Sequence, residues 1–209
     1  MTTAKPARKT TKSGPSSPRL TREDWLDAAF ESVVEGGFDA ARVLPLSQRL
    51  QVTRGSFYWH FKDHAELISD LLKRWVAHEE AADQELVAIH TEDPKDDLLQ
   101  VLVKAFDHAG VEQKNMRFEL ALRGLGRRDP EVAKILSRID RNRLTILVQK
   151  FVRITGDMGR AGDYAALFYL AMVGCYQALA RPNTDDMMRQ YLKDLLNRLL
   201  ILEAGKSKG

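Results

Sequence analysis

The chain has 209 residues, of which 44% are hydrophobic and 29% are charged, and its formal net charge is +3. This balance is typical of a soluble protein with one medium-sized or two small domains. A single cysteine, Cys175, excludes an internal disulfide, and no apolar run approaches the roughly 18 residues of a membrane helix. The N-terminus also lacks an apolar signal core, so we expect a cytoplasmic protein.

The basic residues are concentrated near the N-terminus, where residues 1–62 contain 10 Lys and Arg against 6 Asp and Glu. Residues 1–18 are rich in Thr, Ser, Pro and Lys and have almost no large apolar side chain, which predicts a disordered basic tail. Such a tail adds phosphate attraction to a nucleic-acid interface or serves as a solubilising leader, and the sequence leaves both open.

The first ordered helix is predicted to begin at Arg22. Thr21 and Asp24 have the spacing of a capping box, and Leu20 precedes them as a hydrophobic staple. The apolar positions recur on one face of this helix, and the glycine pair at 36–37 is expected to end it.

Residues 46–61, LSQRLQVTRGSFYWHF, have the pattern of a helix-turn-helix. Leu46 and Leu50 give a first short helix one apolar face, and Val52 supplies an apolar turn residue. Thr53 is expected to cap the second helix, with two phenylalanines facing inward. The outward residues that suit phosphates and base edges are Thr53, Arg54, Gly55, Ser56, Tyr58, Trp59 and His60. An ordinary pair of helices with an exposed polar surface is the alternative.

With its flanks, the segment from Thr21 to Leu72 resembles the DNA-binding domain of the tetracycline-repressor (TetR) family of bacterial regulators. The resemblance rests on GGF at 36–38, on VTRGSFYWHF at 52–61, and on the amphipathic helix that follows. It implies that Thr21 and Arg22 lie near the DNA backbone. We also expect Arg42 and Lys62 to hold phosphate.

Two positions depart from the family pattern. Gln51 stands where the family usually has glycine, so a left-handed backbone there would cost roughly 1 kcal/mol. His64 stands where a phosphate-binding lysine is common, which passes that contact to Lys62. Pro45 is also unusual, and we expect it as the first residue of a short helix.

The remaining sequence predicts a helical body. Asp63 and Glu66 have capping-box spacing and begin a helix that reaches about Ile89, long enough to connect two domains. Further helices are predicted from Asp93-Pro94, over Met116 to Leu125, and from Asp129-Pro130 to Gly156. Without strand signals, the fold class is all-α. The predicted units are a tail over 1–18, a three-helix DNA-binding domain over 19–66, and an effector-binding and dimerisation domain over 67–205.

The last two predicted helices have wide apolar faces that suggest a four-helix interface across a two-fold axis. The family resemblance also implies dimerisation through these helices. The residues predicted to form the interface are Phe168, Met172, Cys175, Leu179, Tyr191, Leu195 and Leu199. The alternative is that both helices serve only the core of one protomer.

The resemblance places an apolar effector cavity among the helices between the DNA-binding domain and the dimer helices. The residues predicted to line it are Trp75, His78, Phe106, Met116, Phe118, Leu122 and Leu147. Aromatic and methionine side chains with one histidine suit an apolar or aromatic molecule with one polar group. Each of these residues could instead be plain core.

Three classes of function are compatible with these patterns. We expect a homodimeric, ligand-responsive transcriptional regulator, in particular a repressor that binds a near-palindromic double-stranded DNA operator. The second is a DNA-binding activator or architectural protein without a small ligand. The third, an enzyme or interaction module, is disfavoured because no catalytic or metal-binding motif occurs, and we expect no cofactor and no metal.

Overall fold

The computed structural model describes residues 20–108, 114–179, 190, 191, 194, 195 and 198. For Leu102, residues 106–108, Tyr176, Ala178 and Leu179 it describes the backbone alone. These parts of the chain are helical and contain no strand, which confirms the all-α fold class. None of their helices is long and apolar enough to cross a bilayer. The predicted tail and the predicted interface residue Leu199 lie outside the described residues.

The N-terminal helices form the helix-turn-helix and its support. Helix α1 spans Arg22–Gly36, a 3-10 helix spans Phe38–Ala40, α2 spans Val43–Arg49 and α3 spans Arg54–Phe57. The predicted capping box begins α1, because the Asp24 N–H donates to Thr21 Oγ1 at 3.2 Å and the Thr21 N–H donates to Asp24 at 2.6 Å. Gly37, with a φ of 74°, ends the helix.

One local prediction for the helix-turn-helix is wrong, and a second holds only in part. Pro45 is the third residue of α2 and not the first, because the helix begins at Val43. The first turn tolerates it there, since the N–H groups of that turn have no acceptor within the helix. Thr53 occupies the N-cap of α3, but its hydroxyl makes no capping hydrogen bond. The Thr53 carbonyl instead accepts the Ser56 N–H at 3.0 Å.

Helix α4 spans His64–Ala88, so the prediction of a helix reaching about Ile89 is confirmed. The Asp63 carboxylate accepts the Glu66 N–H at 2.9 Å, as predicted. The Glu66 carboxylate accepts the N–H of Lys62 at 2.7 Å, one residue earlier than a capping box requires. This capping box is therefore only half formed.

The body follows with α5 (Pro94–His108), α6 (Lys114–Gly126), α7 (Pro130–Thr155) and α8 (Met158–Leu179). The five described residues between 190 and 198 are helical as well. Asp129 caps α7 by accepting from the N–H groups of Glu131 and Val132, and Gly156 ends the helix with a left-handed φ of 64°. Both boundaries agree with the predictions.

One hydrophobic core joins the helix-turn-helix to the body. Trp25 is fully buried and meets Phe57 edge to face, with ring centroids 5.3 Å apart. Phe118 of α6 stacks on Phe30 of α1 at 5.0 Å and lies 6.2 Å from Trp75 of α4. Burial of each such side chain contributes on the order of 1.5–3 kcal/mol. The core also includes the first half of α7. The domain boundary predicted between residues 66 and 67 falls in the first turn of α4 and stays a prediction.

A second hydrophobic core lies among α5, α6, α7 and α8. Leu98, Ala161 and Ala165 are fully buried there, and Phe151 packs edge-on against Phe168 with ring centroids 6.2 Å apart. Helix α4 passes beside this core through Leu86, so one helix packs against both cores.

Candidate nucleic-acid interface and internal cavity

The start of α3 and the turn after it expose a polar and aromatic surface. The side chains of Trp59 and Tyr58 are 81% and 62% exposed, and Arg54 is exposed as well. Phe57 and Phe61 are buried and stacked on one another, which fixes the orientation of the segment. We define the recognition face as the exposed residues Thr53, Arg54, Gly55, Tyr58 and Trp59.

This surface has the chemistry of a nucleic-acid reader. A guanidinium can pair with a guanine edge in the major groove, and hydroxyl and aromatic groups can contact phosphate and thymine methyl groups. Ser56 and His60, which were also predicted to contact DNA, are half-buried.

Arg22 connects α1 to His60, in the turn after α3, and to α4. Its guanidinium donates to the His60 carbonyl oxygen, to Glu66 at 2.7 Å, and to Asp70. It also lies 4.1 Å from the ring centroid of Phe61. The hydrogen bonds from Arg22 hold the pKa values of the Glu66 and Asp70 carboxyls below their ordinary range. Arg22 therefore positions the helix-turn-helix on α4, and its guanidinium is already engaged.

The other predicted phosphate contacts lie on the surface. Lys62 is exposed, and exposed Arg42 pairs with exposed Asp39 at 2.6 Å, an interaction weak enough to exchange for phosphate. Exposed Thr21 donates its hydroxyl to the α1 capping box. His64, which stands where the family commonly has a phosphate-binding lysine, instead contacts the protein backbone. Its Nε2 lies 2.9 Å from the Ala41 carbonyl oxygen.

Gln51, in the turn between α2 and α3, has a φ of 56°. Gln51 therefore has the left-handed backbone conformation that was considered for this position because the family usually has glycine there. Because a Cβ is unfavourable there, the turn is held by its surroundings, in particular by the Val52 N–H, which donates to the Ser47 carbonyl at 2.9 Å.

A cavity of about 390 Å³ lies between α4 and the helices of the second core. This volume is within the range of sites for small molecules. Much of its lining is apolar, and the larger apolar side chains are Leu86, Val101, Ile146, Leu147, Phe168 and Met172.

The same cavity is also lined by charged side chains. Arg143 of α7 donates to Glu79 of α4 and, at 3.0 Å, to Glu119 of α6. Its Nε lies 3.9 Å from Asp83, which also accepts from Asn142 at 2.6 Å. Glu79, Asp83 and Arg143 line the cavity, so a molecule inside it would meet the ion pairs that connect α4 to α7.

The hydrogen-bonded network extends to Tyr169 of α8, which also lines the cavity. Arg123 donates to Glu119 at 2.7 Å and to Asp140 at 2.6 Å, and the Tyr169 hydroxyl donates to Asp140 at 2.6 Å. Burial raises the pKa of Tyr169 to about 12, so the hydroxyl remains a donor at neutral pH. We define the charged network as Glu79, Asp83, Glu119, Arg123, Asp140, Arg143 and Tyr169. Within the described residues, no group of three or more His, Cys, Asp or Glu side chains is placed to hold a metal ion.

The far end of α4 is fastened to α7. Lys150 donates to the Ile89 carbonyl, and Arg153 donates to fully buried Asp97 and, at 2.8 Å, to the Thr91 carbonyl. Burial acts to raise the pKa of Asp97, but hydrogen bonds from Thr91 and the neighbouring cations hold it below its ordinary value. The end of α4 is therefore a fixed point relative to α7.

Comparison with known proteins matches two family models to the chain. Residues 26–71 match the family described as bacterial regulatory proteins, tetR family, and residues 93–201 match the tetracyclin repressor-like C-terminal domain. The chain belongs to the TetR family. Because the family consists of regulatory proteins, the prediction that the chain is not an enzyme is confirmed.

Individual relatives of this TetR-family chain are distant. The transcriptional regulator AcrR of Shigella flexneri is 27% identical over 94 residues, 45% of this chain and 44% of that protein. The class D tetracycline repressor of Escherichia coli is 38% identical over 53 residues, 25% of this chain and 24% of that protein. The chain thus aligns with less than half the length of either relative. A structure from Saccharomonospora viridis in complex with choline has a TM-score of 0.67 at 18% identity and covers 84% of this chain and 95% of that one, which shows the shared fold.

The residues predicted to line an effector cavity do not all lie together in the structure. His78 and Leu147 line the cavity. Trp75, Phe118 and Leu122 instead lie in the first core, and Met116 lies in the second, because these side chains fill the space between packed helices. The side chain of Phe106 lies outside the described residues.

Three of the predicted dimer residues on α8 are buried within one protomer. Phe168, Met172 and Cys175 are each 5–6% exposed and pack in the second core of the same protomer, and the first two line the cavity. The opposite side of α8 exposes Leu167 and Leu170, at 51% and 69%. The predicted residues Tyr191 and Leu195 are exposed, whereas the Leu179 side chain is not described.

The charged network was missed as a site, although the sequence contains a signal for it. The buried face of α4 runs through Leu67, Leu71 and Trp75 and continues, at the same four-residue spacing, to Glu79 and Asp83. Carboxylates that continue an apolar stripe require buried partners. The polar patch at 140–143 supplies them, but the sequence does not show that the two patches meet.

Proposed function

We propose that the chain is a dimeric DNA-binding repressor that leaves a near-palindromic operator when a small molecule occupies the internal cavity. The observation that carries this proposal is the course of α4, which supports the helix-turn-helix through Asp70 and lines the cavity through Glu79 and Asp83. Because a helix of 25 residues moves as a stiff unit, a change at the cavity would reorient the helix-turn-helix.

The recognition face would enter one major groove per protomer. Arg54 is the candidate for a guanine contact, and Ser56 and His60 would contribute less because they are half-buried. Thr21, Arg42 and Lys62 would contact phosphate, whereas Arg22 would act by positioning the helix-turn-helix.

Dimerisation would use the exposed side of α8. Leu167 and Leu170 form an apolar patch there, and Gly174 on the same side permits close approach of a second helix. Tyr191 and Leu195 would extend the interface. Two helix-turn-helices placed about 34–36 Å apart would meet half-sites one helical turn apart on the operator.

Release from DNA would be a shift between two populations. The C-terminal end of α4 is fastened by Lys150, so a molecule pressing on the helix near Asp83 would tilt its N-terminal half. To change occupancy from 99:1 to 1:99, the ligand must favour the released state by about 5.5 kcal/mol. That a structure of this fold binds choline supports small-molecule occupancy.

The division of the chain follows from the same proposal. Residues 1–18 would be a basic tail, 19–66 the DNA-binding domain, and 67–205 the effector-binding and dimerisation domain. A regulator that acts on an operator would reside in the cytoplasm.

The test begins with selection of bound fragments from random double-stranded DNA. Fluorescence anisotropy on the selected operator would then measure affinity with and without compounds that raise the melting temperature of the protein. We expect at least one such compound to reduce operator affinity. If stabilising compounds leave the affinity unchanged, the chain is instead a DNA-binding activator or architectural protein without a small ligand. If no salt-dependent DNA binding occurs, the whole proposal is wrong.

A further inference from the structure

The turn between α6 and α7 exposes two adjacent arginines, Arg127 and Arg128. Within the part of the chain that the structure describes, neither side chain makes a hydrogen bond or an ion pair. The acidic residues that follow are already engaged, since Asp129 accepts from the N–H groups that begin α7 and Glu131 pairs with Lys134 at 2.7 Å. The guanidinium groups of Arg127 and Arg128 are therefore free to bind an anion.

The backbone of this turn is held by hydrogen bonds and packing. The N–H groups of Arg128 and Asp129 both donate to the Leu125 carbonyl, at 2.9 and 3.1 Å. A Cβ on Gly126 would lie 2.8 Å from a methyl carbon of Leu136, so glycine lets the end of α6 pack closely against α7. The two arginines thus extend from an ordered turn, which lowers the entropy cost of binding a partner there.

The turn shares a surface groove with the helix-turn-helix. The groove is lined by Asp39 and Arg42, which precede α2, and by Arg127 and Arg128. The hydrogen bond from Arg42 holds the pKa of the Asp39 carboxyl below its ordinary value, and the positive charge of Arg128 adds to this effect. Arg128 therefore lies within electrostatic range of the pair formed by Asp39 and Arg42.

Few donors in the groove are available to an anion. Among the described residues, five Lys and Arg side chains and four Asp and Glu side chains line it, so its charges nearly balance. The cations outside the turn and the start of α2 are Lys73 and Arg138, and both are paired with carboxylates, at 3.0 and 3.4 Å. The exposed ion pair of Arg42 is weak enough to exchange for phosphate. Binding of an anion therefore depends on the two arginines of the turn and on Arg42.

A DNA strand matches this arrangement better than a small anion does. Arg42 is a proposed phosphate contact, and a strand held there continues past it with a further phosphate for about every 3.4 Å of helix axis. Neighbouring phosphates of one strand can therefore meet Arg127 and Arg128 together. Arginine suits this contact because its planar guanidinium can donate two parallel hydrogen bonds to a phosphate.

We propose that Arg127 and Arg128 contact operator phosphates next to the phosphate held by Arg42. This inference rests on the proposed function, and it adds the helical body to an interface otherwise formed by the N-terminal domain. The contacts would raise affinity for every DNA sequence and would not select bases. Each contact would release about one counterion, so the two arginines would contribute about two to the slope of log affinity against log salt concentration.

The experiment measures the affinity of the full chain for the selected operator by fluorescence anisotropy at several salt concentrations. The double variant Arg127→Ala/Arg128→Ala should lower the slope by about two, and its affinity for unrelated DNA should fall by the same factor as its affinity for the operator. Arg127→Lys/Arg128→Lys keeps both charges and should keep most of the slope. A wild-type slope in the alanine variant, or the alanine slope in the lysine variant, would overturn the inference.

Arg141→Ala is the matched control for net charge. Arg141 is exposed on α7 and, like the arginines of the turn, its side chain makes no hydrogen bond or ion pair with the described residues. It lies roughly 17 Å along the helix from Pro130, at 1.5 Å per residue. Arg141→Ala should leave the slope unchanged. If it lowers the slope as much per charge as the double variant does, the effect is one of net charge and the inference is wrong.

Operators with a single methylphosphonate, which removes the charge of one phosphate, locate the contact. At a phosphate bound by the turn, this change should weaken binding of the wild type but not weaken binding of the alanine variant further. These positions should adjoin the phosphate to which Arg42→Ala becomes insensitive, and positions elsewhere on the operator would overturn the inference.

The same titrations separate this inference from the proposed function. If the wild type binds its operator and the alanine variant matches it in slope, this inference alone is wrong. If the wild type shows no salt-dependent binding to any DNA, the proposed function fails and this inference fails with it.

Discussion

The left-handed backbone at Gln51 predicts that the chain gains stability when this residue becomes glycine. At a φ of 56°, a residue with a Cβ is strained by roughly 1–2 kcal/mol. Glycine removes that strain but costs roughly 0.5–1 kcal/mol more backbone entropy on folding. Gln51 is exposed and loses no packing, so Gln51→Gly should stabilise the fold by about 0.5–1 kcal/mol.

Gln48 provides a matched control three residues earlier. It is exposed and lies inside α2, where the backbone is helical and glycine is unfavourable. Gln48→Gly should therefore destabilise the fold by roughly 0.5–1 kcal/mol, opposite in sign to the change at residue 51. For a protein of this size, each change should move the melting temperature by about 1–4 °C.

The assay is thermal and urea unfolding of the wild type and both variants at one protein concentration, because the melting temperature of the proposed dimer would depend on concentration. An increase in the urea midpoint for Gln51→Gly with an unchanged slope would identify the effect as stability. If both glycine variants lose stability equally, the backbone at Gln51 is not strained and the reasoning is refuted.

Three further predictions concern DNA, assembly and pH. Arg54→Ala should weaken operator binding by roughly 1–3 kcal/mol, and Lys62→Ala should lower the slope of operator affinity against salt concentration, on logarithmic axes, by about one. Anisotropy titrations that are unchanged from wild type would contradict both assignments. Leu170→Glu should sediment as a monomer, whereas the control Val87→Glu, at an exposed position on α4, should not. If Leu170→Glu is still a dimer, the interface lies elsewhere. Glu79 raises the pKa of His78 above its ordinary value of 6.5, so the folded state binds that proton more tightly than the unfolded state. The resulting stabilisation is complete below pH 6.5 and disappears as the pH rises through the pKa of His78 in the folded state. In urea unfolding at several pH values, His78→Gln should lack this part of the pH dependence.

Most of the predicted helix boundaries are correct because their signals are local. The Thr21–Asp24 capping box, the Asp129 cap and left-handed Gly156 each involve residues within a few positions of one another. The same holds for the family motif at 52–61, which carries the resemblance. Local spacing fixes local hydrogen bonds, and these determine where a helix begins and ends.

The cavity and the dimer surface could not be read from the sequence for a physical reason. Helix α8 is apolar on two sides, so periodicity cannot tell buried Phe168 from exposed Leu170. A cavity is a space that distant elements fail to fill, and nothing about Trp75 or Leu122 indicates that other helices close over them. The ion pair of Arg143 with Glu79 joins residues 64 positions apart.

The buried face of α4 changes from apolar to charged along its length, and under the proposed function this change makes the cavity a suitable place for a ligand to act. The first half of its buried face is apolar and is held by packing against the helix-turn-helix core, which a ligand in the cavity does not touch. The second half is held through Glu79 and Asp83, whose ion pairs with Arg143 face the cavity. A ligand in the cavity would alter such pairs directly, because their energy depends on neighbouring charge and on exclusion of water. The N-terminal half of α4 can then transmit the change as a rigid lever, since its packing on the helix-turn-helix is left intact.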